Sequence, residues 1–202
     1  PTNVASKKEI VGTSTPTFLM GFNTHFTWKG ITLSAVLDWR NGGEFYSYTS
    51  QLLTFAGNST YTVFNNREPF VVPNSVKVVN GQYVENDIPI VHWGGASSAV
   101  NTYYNNASNY AQYRNWILPK DYLKLREITL SYSLPKAWLK HTPFSMVQVS
   151  LIGRNLFMWT PKKNNYVDPE GTNYGNDILS EIGEFGAAPT NRTFGGGIKV
   201  VL

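Results

Sequence analysis

The residues of this chain that could perform acid–base chemistry or bind a metal include two pairs of carboxylates. Asp168 and Glu170 flank a proline, and Glu85 and Asp87 flank an asparagine. Such pairs can serve as general acid and base, or supply oxygen ligands to calcium. The EF-hand pattern is absent from the sequence, so we interpret all four side chains as solvated loop charges.

The three histidines and a run of three glycines fit structural roles better than catalytic ones. His25, His92 and His141 are far apart in the sequence, and no two have the i, i+4 spacing of zinc ligands on a helix. Glycines 195–197 lie in an alternating, strand-like segment with no helix after it, which is not the context of a phosphate-binding loop. We therefore expect no metal, no cofactor and no enzymatic activity.

A cluster of aromatic residues interspersed with asparagines is the candidate ligand-binding segment. Its members are Tyr103, Tyr104, Tyr110, Tyr113 and Trp116. Aromatic rings stack on sugars or contact peptides, and amides hydrogen-bond to hydroxyl groups or backbones, so this composition suits a polar substrate. The same residues could equally pack against a partner protein or against one another.

The composition favours strands and turns over helices. The 202 residues are 42% hydrophobic, 14% aromatic and only 15% charged, with 17 Gly, 11 Pro and no Cys. The net charge of +4 comes from scattered basic residues, which gives no indication of nucleic-acid binding. No apolar run approaches the 18 or more residues of a transmembrane helix, although this does not exclude a membrane.

Two early segments alternate apolar and polar residues over the length of a membrane-spanning strand. Residues 17–28 carry apolar side chains at even positions, and residues 31–39 carry them at odd positions, with a turn at Lys29-Gly30 between them. A bilayer-crossing strand needs about nine to eleven residues, whereas ordinary strands average about five or six. This hairpin alone is equally compatible with a soluble sandwich.

The alternation resumes near the end of the sequence. Strands are predicted over 121–134, 145–160 and 193–202, with a bulge near Arg126-Glu127 because the apolar phase changes there. The regions 41–118 and 161–191 are rich in Asn, Gly, Ser and Thr, and we interpret them as long loops with a short helix near 48–55 and short strands around Asn80-Gly81. The predicted fold is all-β and antiparallel, with short turns at one end and long loops at the other.

Four segments, in this order, resemble late barrel segments of the SusC/RagA-type TonB-linked outer-membrane transporters. They are YLKLREITLSYSLP at 122–135, GRNLFMWT at 153–160, YVDPE at 166–170 and the closing segment at 189–202. The hairpin at 16–39 and the stretch 67–73 also fit, so the resemblance covers nearly the whole chain. Four ordered matches are more specific than any one of them.

The resemblance implies an antiparallel transmembrane β-barrel of 22 strands in the bacterial outer membrane, with residues 1–202 as its C-terminal part and the plug and first strands outside this sequence. It also implies extracellular loops at about 41–118 and 161–191, a SusD-type lipoprotein lid and energy from the TonB complex. The expected activity is uptake of oligosaccharides or peptides. A soluble β-sandwich carbohydrate-binding module and a small passive porin-like barrel are the alternatives.

Overall fold

The computed structural model describes residues 9–90, 113–164, 166–171, 173 and 178–202, and its main element is a five-stranded antiparallel sheet. The strand order is β1-β2-β7-β8-β10. The strand bounds are Phe18–Trp28 (β1), Ile31–Asn41 (β2), Tyr122–Ser133 (β7), Met146–Trp159 (β8) and Thr193–Val201 (β10). The all-β prediction and the early hairpin are thus confirmed.

Every second side chain of the five-stranded sheet contributes to one apolar face. One row across it consists of Phe26, Leu33, Leu130, Leu151 and Gly196, in register. The four large side chains of this row are exposed, from 42% for Leu33 to 68% for Phe26. The apolar face is therefore not packed against another layer of the described residues.

The opposite face of the same sheet is polar. The neighbouring row consists of Thr27, Thr32, Ser131, Ser150 and Gly197, and the Thr27 and Thr32 hydroxyls lie 3.0 Å apart. Since successive side chains of a strand point to opposite faces, the apolar and polar rows alternate along the strands.

The bulge expected near Arg126-Glu127 is present and explains the change of apolar phase in β7. The pairing register shifts between Leu125 and Glu127, so Arg126 is the extra residue. On β8, Asn155 adopts a φ of 53° opposite this bulge. The inserted residue places Leu123 and Leu125 before the bulge on the same face as Ile128 after it.

Short connections join the strands at one end of the sheet, which we call the turn end. The turn between β1 and β2 has positive φ at both Lys29 (46°) and Gly30 (85°), the type I′ geometry of two-residue hairpins. The connection between β7 and β8 contains one helical turn, α2 (Lys136–Leu139). The long connections all leave from the opposite end, which we call the loop end.

The segments at the loop end contain more regular structure than the sequence indicates. The predicted helix is α1 (Tyr48–Phe55), and the predicted hairpin at Asn80-Gly81 joins β4 (Val76–Val79) to β5 (Gln82–Glu85). The remaining elements are two 3₁₀ helices, Thr60–Arg67 and Tyr113–Trp116, with β3 (Glu44–Ser47), β6 (Ile117–Pro119), α3 (Ile178–Ile182) and β9 (Gly183–Glu184).

A small second sheet, not predicted from the sequence, organises this loop layer. Its order is β6-β3-β9, and β3 pairs in parallel with β9 across more than 130 residues of chain. Phe45, Leu118 and Val167 form a buried cluster beside it, with Tyr166 packed against them. The main buried core of the described chain thus lies in the loop layer. None of the described helices has the length and apolar composition needed to cross a bilayer.

Candidate functional site

The loop that carries Asp168 and Glu170 folds back onto the polar face of the large sheet at the loop end. Asp168 is 4% exposed and accepts a 2.6 Å hydrogen bond from Lys124 Nζ. Its second oxygen accepts from the Thr190 hydroxyl at 2.6 Å and from the Thr190 backbone N–H at 3.2 Å. The interpretation of Asp168 as a solvated loop charge is therefore wrong, because a buried lysine and two further donors replace water around it.

Glu170 joins the same network from the other side of the proline. It accepts a 2.8 Å hydrogen bond from the Tyr122 hydroxyl and a 2.7 Å bond from Arg126 Nη1, and it pairs with Lys124. Arg126 Nε also donates to Asp38 at 3.1 Å. Glu170 is an exposed loop residue, as the sequence analysis expects, but its carboxylate is bound by these side chains and not by water alone. We call these six side chains the anchor cluster: Asp38, Tyr122, Lys124, Arg126, Asp168 and Glu170.

Strand geometry determines how β7 presents its part of the anchor cluster. Tyr122, Lys124 and Arg126 are spaced by two residues, so they project from one face of the strand. Asp38 lies directly opposite Lys124 on β2. Because the bulge lies at Arg126, the apolar side chains from Ile128 onwards lie on the face opposite to Tyr122 and Lys124. The bulge thus allows one strand to hold the loop and to continue the apolar face.

The carboxylates of Asp168 and Glu170 remain ionised in the folded protein. Burial raises the pKa of Asp168, but hydrogen bonds from Lys124, Thr190 and the Glu170 backbone outweigh burial and lower that pKa to about 2. Burial likewise raises the pKa of Glu170, and hydrogen bonds from Arg126, Lys124 and Tyr122 bring it down to about 2. Carboxylates this acidic, already bound to cations, are suited to holding a loop and not to donating protons.

Acidification should weaken this attachment. The folded-state pKa of Asp168, about 2, lies below its ordinary 3.8, so its stabilising contribution is complete above about pH 5 and disappears as the pH falls towards 2. For Asp168 this amounts to roughly 2 kcal/mol. We expect the free energy of unfolding of the full-length protein in detergent to fall more steeply over this range than that of Asp168→Asn. Equal pH dependence of the two proteins would contradict the assignment.

The second pair of carboxylates and two of the histidines lie at the surface of the described chain. Glu85 is exposed on β5, and Asp87 is exposed and forms an ion pair with Lys77. His25 is an exposed residue of β1 and His141 an exposed residue of the β7–β8 connection, while His92 lies outside the described residues. In the described ranges, His, Asp and Glu side chains do not gather in any group of three that could hold a metal.

Two members of the candidate aromatic cluster, Tyr113 and Trp116, lie in the described part of the chain. Tyr103, Tyr104 and Tyr110 lie outside the described residues. Trp116 is 6% exposed and belongs to the core of the loop layer, which argues for a structural role. Tyr113 is 62% exposed and is the described member of the cluster that is open to a ligand.

Tyr113 belongs to a row of four rings that the sequence analysis did not identify. Its ring meets Tyr46 edge-on at 5.5 Å, Tyr46 stacks on Tyr48 at 6.4 Å, and Tyr48 contacts Phe185 at 4.9 Å. We call these four residues the aromatic row. The signal for it was the alternation over 45–48, where Phe45 and Ser47 are buried and Tyr46 and Tyr48 are on the other face.

A buried glutamate fixes one end of the aromatic row. Glu184 is fully buried in β9 and accepts hydrogen bonds from the Ser47 hydroxyl, the Thr49 hydroxyl at 2.6 Å and the Thr49 N–H at 3.3 Å. Ser47 is also the N-cap of α1. These contacts tie β9 to the start of α1, so Phe185, which follows Glu184, is held against Tyr48.

Comparison with curated sequences gives a relative over nearly the whole chain. The chain is 27% identical over 199 residues to TonB-dependent receptor P3 of Formosa agariphila, which covers 96% of the chain and 17% of that relative. No protein-family model matches the sequence. The chain thus spans about one sixth of the length of this curated relative.

Comparison with solved structures gives the same fold. The RagAB peptide importer in its open-open state matches with a TM-score of 0.57 and 19% identity, covering 93% of this chain and 17% of the other. Its closed-closed state matches with a TM-score of 0.54 and 16% identity, covering 95% and 18%. A further structure of the RagAB peptide transporter has a TM-score of 0.54, 19% identity and coverage of 93% and 17%.

Proposed function

We propose a function for this chain on the premise that it belongs to the TonB-dependent receptors of the SusC/RagA type. In this proposal, residues 1–202 are the C-terminal part of a 22-stranded outer-membrane barrel. The strands β1, β2, β7, β8 and β10 form part of its wall. The whole protein imports a nutrient and performs no covalent chemistry.

The two faces of the large sheet are the observation that carries this proposal. The row from Phe26 to Leu151 leaves large apolar side chains exposed, and the adjacent row of Thr and Ser is polar. The strands β1, β2, β7 and β8 are eleven to fourteen residues long. Strands of this length cross a hydrocarbon core of about 25–30 Å at the usual tilt. Lipid would cover the apolar face, and the polar face would line the lumen.

Aromatic residues near both ends of the apolar face support the same orientation. Trp28 is close to the turn end, and Trp39 and Trp159 are close to the loop end. Such positions match the aromatic girdles of outer-membrane barrels, in which short turns face the periplasm and long loops face the exterior. The loop layer and its aromatic row would therefore lie outside the cell.

Transport would depend on partners beyond this chain. We propose that the substrate, an oligosaccharide or a peptide, is held between the loop layer and a SusD-type surface lipoprotein, and that the TonB complex acts through an N-terminal segment outside this sequence. The anchor cluster would hold the base of the loop layer against the barrel wall while substrate binds. Of these two substrate classes, peptides are supported by the similarity in fold to the RagAB peptide importer.

The alternatives are less well supported. A soluble β-sandwich buries the apolar face of each sheet against the other. In the parts of the chain described here, the three-stranded sheet sits at the loop end and leaves that face exposed. The small passive barrel is less well supported because 96% of this chain aligns with a TonB-dependent receptor.

Uptake measured in cells that make the full-length protein tests the proposal. Labelled oligosaccharides and peptides should enter wild-type cells, and entry of one class should stop when either this protein or the TonB complex is removed. The control for each deletion is a strain in which the deleted gene is restored on a plasmid. Uptake that depends on this protein but continues without TonB would favour the passive barrel and contradict energised import.

A further inference from the structure

A pocket at the edge of the loop layer lies beside one end of the aromatic row. It has a volume of about 420 Å³. Tyr46 and Tyr113 line it together with Ile117, Ile182 and Val11. Three of these residues are exposed overall, Val11 at 43%, Ile182 at 47% and Tyr113 at 62%. The size and lining suit a single apolar side chain or a short peptide segment.

One charged side chain lines this apolar pocket. Glu44, the first residue of β3, is half-buried, and its backbone N–H donates to Thr13 O at 2.7 Å. Its carboxylate has no hydrogen-bond or ion-pair partner among the described residues. The guanidinium of Arg40 is occupied nearby, since it donates to Ser14 O at 2.8 Å and to Gly42 O. We call this site the Glu44 pocket.

The chemistry of the walls selects the ligand class. A carboxylate beside apolar surface attracts a cation more strongly than one in open water, and ring faces add cation–π attraction. A sugar would instead require several hydrogen-bonding groups for its hydroxyls. The walls are mainly apolar, and two of the lining hydroxyls are already engaged: that of Thr13 accepts from the Thr15 N–H, and that of Tyr46 donates to Gln51. The complementary group is therefore a primary ammonium carried next to an apolar side chain.

We propose that the Glu44 pocket binds the N-terminal end of a peptide, with the ammonium group on the Glu44 carboxylate and an apolar first side chain between Tyr46, Tyr113 and Ile182. This inference rests on the proposed import function and narrows its substrate class to peptides. The N-terminal ammonium is favoured over a lysine side chain because it lies within two bonds of the side chain that it accompanies, whereas the lysine ammonium stands at the end of a flexible stem.

Binding of defined peptides to the full-length protein in detergent tests the proposal by calorimetry. The probes are Leu-Gly-Gly, its N-acetylated form, and N-acetyl-Lys-Leu-Gly-Gly. We expect the free tripeptide to bind, and acetylation to weaken binding about tenfold, the effect of losing one charge-assisted hydrogen bond. Equal binding of the acetylated lysine peptide and the free tripeptide would overturn the assignment to the N-terminus.

Three variants locate the effect at the carboxylate. Glu44→Gln keeps the shape of the side chain and should weaken binding of the free tripeptide about tenfold, with little change for the acetylated form. Gly12→Ala should act similarly, because a β-carbon at residue 12 would overlap the Glu44 carboxylate. Glu68→Gln makes the same change at an exposed glutamate of the loop layer that does not line the pocket, so it is the control and should bind as the wild type does.

The outcomes separate this inference from the import proposal. If Glu44→Gln and Glu68→Gln bind the tripeptide equally well, or if the wild type binds neither form, the Glu44 pocket is not an ammonium site. TonB-dependent uptake of peptides measured in parallel would then still support import. Loss of all TonB-dependent uptake, with tripeptide binding and its dependence on Glu44 retained, would contradict the import proposal and leave the pocket assignment standing.

Discussion

Replacing Lys124 by Met should destabilise the protein by about 3 kcal/mol, because it leaves the buried Asp168 carboxylate without its cation. Both side chains are nearly inaccessible, at 5% and 3% exposed, so water cannot solvate the remaining charge. The Thr190 donors and Arg126 of the anchor cluster would offset part of the loss. The free energy of unfolding in urea, measured on the full-length protein in phospholipid vesicles, checks this.

A double-mutant cycle separates the ion pair from the loss of packing. Lys124→Met combined with Asp168→Asn should cost less than the sum of the single changes, by about 1–3 kcal/mol, because the double variant holds no unpaired charge. The control is Arg154→Met, which removes the exposed pair with Glu127 and should cost at most about 1 kcal/mol. Additive costs for Lys124 and Asp168 would show that the pair does not anchor the loop.

An arginine on the apolar face should be far more damaging than one on the polar face of the same strand. Leu151, 64% exposed in the isolated sheet, lies in the central apolar row, and Leu151→Arg should cost about 2–4 kcal/mol if lipid surrounds it. Ser150→Arg, one residue earlier, points to the polar face and should cost less than about 1 kcal/mol. Unfolding in vesicles gives both values.

The comparison between these adjacent positions decides the environment of the sheet. In a water-soluble protein with this face exposed, Leu151→Arg would change stability by no more than a few tenths of a kcal/mol. Similar small costs at both positions would therefore contradict a lipid-facing surface. A large cost at Ser150 and a small one at Leu151 would indicate that the apolar and lumenal faces have been exchanged.

The large sheet could be predicted from the sequence because its information is local. Alternation along 17–28 and 31–39 specifies both strands and their faces, and Lys29-Gly30 specifies the turn between them. The change of apolar phase at Arg126 similarly predicts the bulge, since only an inserted residue lets Leu125 and Ile128 share a face. The pairings of β2 with β7 and of β8 with β10 join distant strands and were not predicted, although all these strands share one apolar face.

The anchor cluster and the loop layer could not be predicted in the same way. Lys124 and Asp168 are 44 residues apart, and nothing near either residue shows that they meet. Asp168-Pro169-Glu170 therefore looked like a solvated loop. The parallel pairing of β3 with the two-residue β9 is equally non-local, and it is this pairing that brings Phe185 to the aromatic row. Tyr113 was identified because its segment is rich in aromatic residues and asparagines. Tyr46 and Tyr48 lie in a region that was interpreted as a loop.

The central claim, that one face of the large sheet contacts lipid and the other a water-filled lumen, is tested most directly by scanning β8 with spin labels. The chain has no cysteine, so single cysteines can be introduced at each position from 146 to 153. Each labelled full-length protein is reconstituted in vesicles. Collision with oxygen, which partitions into lipid, is compared with collision with a water-soluble nickel chelate.

We predict that oxygen contact is high at Val147, Val149 and Leu151 and that nickel contact is high at Gln148 and Ser150, giving a period of two along the strand. Uniform nickel contact at all positions, or the absence of any alternation between neighbouring labels, would contradict a membrane-spanning wall.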